Sequence, residues 1–306
     1  MTSAEFFLLY ALMPFECRGL PPYNDDMSAA TTIRIGISED VGYRGDMEDE
    51  HAIYQIPEKA FFSAEVYDGH GGRRAALVAA EMLTPHFLHS WFEELKKQVS
   101  ERRPERELVR AAYLEVDKYV GEADIDGGTT AAALYLIDDR FLGANVGDTR
   151  IVLGVREGVF TLTLDHKPNL PEELERIEEK GGRVVNLGVP RVQGLLAVSR
   201  AIGDRILKPY VTAEPRIIEG YLGRENDYAI IACDGVWDVL VPEIVIDLVR
   251  GLDDPQMAAD AIKQSALDNG TTDNVSVIVL DLREFTANLA RQRMEVTTVT
   301  DRAYEK

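Results

Sequence analysis

The chain has 306 residues, 45% of them hydrophobic and 28% charged, the balance of a folded globular protein and not of a disordered one. Lys and Arg number 33 against 53 Asp and Glu, a formal net charge of −20, which makes the chain a poor candidate for sequence-independent nucleic-acid binding, since that needs a positive face. Two cysteines, Cys17 and Cys233, make neither a disulfide framework nor a zinc-spaced cluster, and a reducing cytoplasm is the simplest reading.

Taken in chain order, the first feature is the apolar run FFLLYALMPF at 6–15, roughly half the length needed to span a bilayer. Glu5 stands where a signal peptide wants a cation and Pro14 closes the run, so a docking helix, a regulatory arm or a non-native start is expected, and no membrane span. Residues 16–30 read as a linker, which makes 1–30 an arm distinct from a main domain at 31–284. That domain shows β-rich runs: IRIGI at 33, HAIYQI at 51, AEVY at 64, AALYLI at 132, FLGANV at 141, RIVLG at 150, VFTLTL at 159, LLAVS at 195, YAIIAC at 228 and VSVIVLD at 275. Only a few turn residues separate several of these, which permits antiparallel hairpins and forbids parallel crossovers.

Helices are predicted from about 73 to 99, interrupted at Pro85, and from 105 to 120, where Leu108, Ala112, Val116 and Tyr119 recur at helical spacing. Three more, at 171–180, 242–250 and 255–267, each begin at a proline. Antiparallel strands flanked by helix pairs predict an α+β fold, a four-layer α-β-β-α sandwich of two antiparallel sheets. The tail at 285–306 shows no sustained apolar face.

Chemistry is concentrated in aspartates beside glycine or in turn segments, each abutting an apolar strand: VYDGHGG at 66–72, NVGDTR at 145–150, ACDGVWD at 232–238 and GTTDNVSVIVL at 270–280, with the acidic GYRGDMEDEH at 42–51 ahead of them. A lone Asp-Gly is ordinarily a turn. Four such sites at strand ends are better read as carboxylates meeting at one sheet edge, the donor set of hard divalent cations.

These blocks, with GGTTAAALYLI, LTLDHKP and RVQGLLAVSRAIGD, stand in the order of the PPM or type 2C protein phosphatases, which the chain resembles over roughly residues 33–283. The resemblance implies hydrolysis of phosphoserine and phosphothreonine in protein substrates with Mg²⁺ or Mn²⁺, two core ions and a weaker third. It places the bridging ligand on Asp68, a backbone carbonyl ligand on Gly69, and further core carboxylates on Asp234 and Asp273. Glu48 resembles the acidic ligand of the far metal, directly or through water, with Asp49 supporting that shell. The third ion would draw on Asp148 with Asp234 or Asp238. Arg44 resembles the phosphate-binding arginine, whose planar fork can hold two phosphoryl oxygens, and His70 the general acid for the leaving alkoxide. The segment at 167–191 corresponds to a flap beside the cleft, and a monomer is expected.

Two departures from the family pattern are Glu65, in a strand that is usually apolar and so expected to be less buried or shifted, and Gln193, where asparagine is commoner. His51 and His166 read as structural or supporting residues, and Cys233 as a small buried one. No arginine follows Cys233 at the spacing of a cysteine phosphatase, and the D-x-D of Asp124 and Asp126 lies in a polar loop, which argues against an aspartyl-phosphate enzyme. The alternatives left standing are a pseudophosphatase that binds phosphoproteins and a phosphatase of small phosphate esters.

Overall fold

The computed structural model describes residues 33–291, so the apolar run, the linker and the end of the tail lie outside the described residues. One sheet is built from β1 (Arg34–Asp40), β8 (Arg150–Val155), β9 (Gly158–Thr161), β14 (Asn226–Ala232) and β15 (Val275–Asp281), in the order β1-β15-β14-β8-β9. The other contains β2 (Glu50–Ile56), β3 (Phe61–Tyr67), β6 (Ala131–Ile137), β7 (Arg140–Val146) and β13 (Arg216–Tyr221), in the order β13-β7-β6-β3-β2. Every pairing in both is antiparallel.

The period-two alternation of a strand assigns its side chains to two interfaces. From β3 and β6, Phe62, Ala64, Val66, Ala132, Leu134 and Leu136 face Ile151, Leu153, Ala229, Ile231, Ile278 and Leu280 of the first sheet. The alternate residues Phe61, Tyr67, Ala133 and Tyr135 pack under helices α1 (Arg74–Leu95) and α2 (Glu105–Glu122). On the far side, Val152, Ile230, Val277 and Val279 meet α5 (Pro242–Arg250) and α6 (Pro255–Asp268). Two further helices, α3 (Pro171–Glu179) and the short α4 (Asp234–Trp237), lie in connections. The predicted four-layer sandwich is thus the observed one. Central strands buried on both faces explain why they read as nearly unbroken apolar runs.

Four local expectations change. The helix predicted to break at Pro85 runs continuously from Arg74 to Leu95, because buried residues from Ala75 to Trp91 hold it on both sides of the proline. LLAVS at 195–199 is not a strand: Gln193 (φ 53) and Gly194 (φ 74) turn the chain, only an isolated bridge joins Leu196 to Val192, and Ser199 is taken up by His166 and Glu173. The strand β13 was not foreseen, since RIIEGY lies on a sheet edge and its half-exposed residues give no clear alternation. Glu65, finally, leaves β3 neither exposed nor shifted. All seven residues are buried and the register with β2 and β6 is unbroken, because the hydroxyls of Thr84 and Tyr67 donate hydrogen bonds to the carboxyl.

Past the 284 limit read from the sequence, residues up to 291 are helical, and Phe285 and Leu289 pack against the inter-sheet core. Among the described residues no helix is long and apolar enough to cross a membrane.

Candidate active site

The strand registers bring the chemistry to one edge. Tyr67 at the end of β3 pairs with Glu50 at the start of β2, and Ala131 at the start of β6 with Val146 at the end of β7. In the other sheet Ala232 at the end of β14 pairs with Arg150 and Val277, and Asp40 at the end of β1 with Val275. The loops at 41–49, 68–72, 147–149, 233–234 and 273–274 therefore open on the same side, each carrying one or more of the expected acids.

The Thr129-Thr130 pair fixes the centre of this edge. Thr130 donates its amide hydrogen to the Asp68 carbonyl at 2.9 Å, and its Oγ1 accepts from the Asp68 amide at 3.1 Å while lying 2.5 Å from Thr149 Oγ1. Gly147 (φ 88) turns tightly against it, where a Cβ would stand 2.5 Å from the Thr130 side chain. Asp68 and Asp148 are thus held toward each other by the backbone. Carboxylate oxygens of Asp68, Asp148 and Asp234 lie within 4.8 Å of one another, and Asp68 also joins Asp49 and the Cys233 thiol within the same span.

Such crowding is costly without positive charge. Lost hydration is the first cause raising the Asp68 pKa well above the carboxylate range, with Asp234, Asp49, Asp148 and Asp273 adding repulsion. Burial, then Asp148, Asp238 and Asp273, push Asp234 up to about 8, opposed by Lys167. Burial likewise lifts Asp49 to about 6, opposed by the nearby polar groups of Ser276 and Cys233. The cations that reach the group stand at its margins: Lys167 Nζ is 2.5 Å from Asp148 Oδ2, and Arg44, half-exposed, donates from Nη2 to Asp273 Oδ2 at 2.5 Å. Asp49 Oδ2 is buried with no partner among the described residues. An all-oxygen set with an orphaned carboxylate oxygen fits a hard divalent cation. The Cys233 thiol does not: burial and then the neighbouring carboxylates raise its pKa well above the ordinary value, so it stays neutral.

The remaining expected residues fall as follows. Asp49, not Glu48, lies in the carboxylate clusters; Glu48 is anchored through its amide, which donates to Asn274 Oδ1 at 2.8 Å. Gly69 forms the short strand β4 (Gly69–His70), paired with Thr129 of β5 (Gly128–Thr129). Asp238 and Asp273 act on Asp234 through their charge, and His70 Nε2 lies 2.8 Å from Asp204 Oδ2. His51 pairs with Glu39 at 2.6 Å, and His166 is buried with its pKa lowered to about 3, first by burial. Sequence reasoning missed Lys167, Asp204 and Asn274. All three lie inside quoted blocks, but nothing in a linear pattern says which side chain they face. Asn274 is buried, and its side chain bonds Val41 O, Asp46 O and the Glu48 amide, clamping the loop that carries Arg44.

Fold and site together define an antiparallel α-β-β-α sandwich with a carboxylate centre suited to hard divalent cations. The sequence model of the protein phosphatase 2C family matches residues 33–275. The chain is 34% identical over 277 residues to "Probable protein phosphatase 2C 59" of Oryza sativa subsp. japonica, covering 88% of this chain and 82% of that protein. It is 35% identical over 251 residues to "Probable protein phosphatase 2C 59" of Arabidopsis thaliana, covering 80% and 78%. Among solved structures, a serine-threonine phosphatase 2C from Toxoplasma gondii superposes with a TM-score of 0.72 at 22% identity, over 81% of this chain and 94% of that one. The chain belongs to the protein phosphatase 2C family.

Proposed function

We propose that Asp49, Asp68, Asp148, Asp234 and Asp273, with the Gly69 carbonyl, Glu48 and Asp238 around them, hold Mg²⁺ or Mn²⁺, two ions at the core and a weaker third near Asp148. The observation that carries this reading is Asp68, shared by one cluster with Asp148 and Asp234 and another with Asp49 and the Cys233 thiol, the basic side chains among the described residues standing only at their margins. The chain is a protein serine/threonine phosphatase that hydrolyses phosphate esters of protein side chains. Bound cations would supply a hydroxide near neutral pH and offset charge on the transferring phosphoryl group.

The chain's own residues do the rest. Arg44, on the clamped loop at the rim, exchanges its contact with Asp273 for two phosphoryl oxygens and orients the ester. His70 holds the proton that the departing serine or threonine oxygen needs. The segment at 167–191 walls one side of the cleft through Lys167 at Asp148. Action as a monomer in the cytoplasm belongs to the same reading, the compartment supported by cysteine usage that shows no disulfide framework.

The direct test is phosphate release from a phosphothreonine peptide with Mn²⁺, with Mg²⁺ and with chelator. Release in either metal and none in chelator is expected. Peptide binding without release in any condition would mark a phosphoprotein-binding module instead.

A further inference from the structure

His70 sits in a ribbon of three short strands in the order β12-β5-β4, where β12 is Ile202–Gly203. Gly128 of the middle strand pairs with His70 on one side and with Gly203 on the other, and Asp204 follows directly. The two side chains meet over Gly128. A Cβ built there would lie 2.2 Å from Asp204 Oδ2 and 2.8 Å from His70 Nε2, so their hydrogen bond fills the space a side chain would take.

Asp204 is itself firmly placed. Its backbone is left-handed (φ 51, ψ 45), a conformation that Asp tolerates better than most residues. Its amide donates to Gly127 O at 2.8 Å, and its carbonyl accepts from the Leu207 amide at 2.8 Å. The preceding Gly203 amide donates to Asp117 Oδ1 at 2.8 Å, an oxygen also held by Lys208 Nζ at 2.8 Å. The Asp204 carboxyl is almost wholly buried, and the partner on its Oδ2 is His70.

We propose that Asp204 is the positioning residue of His70, accepting a hydrogen bond from Nε2 across Gly128 and so fixing the ring plane and leaving Nδ1 to deliver the proton. This rests on the phosphatase reading above. In the step itself, water supplies the oxygen that joins phosphorus and the ester P–O bond breaks. The Nδ1 proton passes to the departing serine or threonine oxygen. The proton lost by the water returns to His70 through solvent, while the Nε2 hydrogen stays on Nε2, donated to Asp204 throughout. A carboxylate behind an imidazole fixes its tautomer and orientation, as in other acid and base pairs of this kind.

The test compares a phosphothreonine peptide with p-nitrophenyl phosphate, whose weakly basic leaving group departs without an acid. Asp204→Gly keeps the left-handed backbone and removes the carboxyl; Gly128→Ala leaves both partners and inserts the obstructing Cβ. In each, kcat on the peptide should fall roughly 10- to 100-fold with KM little changed, and the rate on p-nitrophenyl phosphate should stay within about threefold. Asp204→Asn, which still accepts from Nε2, should lose less. Adding Asp204→Gly to His70→Ala should cost nothing further, whereas independent roles would add. Equal losses on both substrates, or additive losses, would overturn the proposal. If Gly128→Ala does not fold, Asp204→Gly decides. Nitrogen NMR of histidine-labelled protein reads the ring without turnover: Nε2 protonation in the wild type, lost in Asp204→Gly, is expected. A ring signature unchanged by Asp204→Gly overturns the proposal, while a wild type that shows the signature but releases no phosphate sinks the phosphatase reading alone.

Discussion

Glu65 shows how a single residue can look wrong in a sequence and be accommodated by its neighbours. Burial pushes its carboxyl up from 4.5 to about 7, against hydrogen bonds from Thr84, Tyr67 and Ser63 that favour the charged form. Because its folded-state pKa is raised, the stability it contributes is full below the unfolded value and is lost as pH rises through about 7. Over that window the loss is about 3 kcal/mol. Glu65→Gln keeps the shape, and Thr84 and Tyr67 can accept from its amide. It should flatten the stability curve and be the more stable form on the alkaline side, as urea melts across the window would show; parallel curves for the two proteins would refute the assignment. Cys233, one residue before Asp234, is a second test at this scale. Its thiol is buried and held neutral, so Cys233→Ser should keep most phosphopeptide turnover, and complete loss in a folded, metal-loaded protein would revive a thiol mechanism.

At the scale of elements, α3 and the hairpin of β10 (Val184–Asn186) and β11 (Pro190–Val192) form a small body with its own core of Ile177, Val192, Val198, Ala201, Leu207 and Val211. Its polar hub is Glu173, almost wholly buried, which accepts from Arg176, Ser199 and Arg200. Burial works against the carboxylate, yet those bonds bring its pKa down to about 2. A depressed pKa means stability present above the unfolded value and lost only as pH falls through about 2. Glu173→Ala leaves two guanidinium groups without their carboxylate, a change that costs about 3–5 kcal/mol when such a pair is buried. The damage should be local: limited proteolysis should cut within 167–212 while the sandwich stays protected. Cleavage spread evenly over the chain would show that this body is not a separate unit of stability.

At the scale of the molecule, the site trades stability for binding. Four or more acids share one edge with cations only at its margins, so the metal-free protein carries repulsion that an ion would relieve. Mn²⁺ at about a hundred times its dissociation constant should add about 2.7 kcal/mol, which is a rise in Tm of about 5–10 °C for a domain of this size. Asp68→Asn should melt no lower than the wild type in chelator, because the carboxyl whose ionisation burial and its neighbours oppose is gone, and should lose the Mn²⁺ shift. An undiminished shift in that variant, read by calorimetry, would remove Asp68 from the ligand set.

The sequence by itself determined the architecture and the inventory of acids. Strands buried on both faces must be apolar at nearly every position, and helices lying on a sheet must show a stripe at helical spacing, so runs such as AALYLI and the repeat at Leu108, Ala112 and Val116 carry the fold in one dimension. The Asp-Gly turns at strand ends were legible for the same reason, since a turn after an apolar run marks where a sheet edge begins. Tertiary structure alone decided which acids meet. It drew Asp49 in with Asp68 and left Glu48 outside the clusters, set Lys167 on Asp148, and brought Asp204 to His70 across a residue with no side chain. Those partners lie 134 residues apart for His70 and Asp204 and 19 apart for Asp148 and Lys167. Their contacts depend on strand register and on empty space over Gly128, and neither quantity is written in the spacing of residues along a chain.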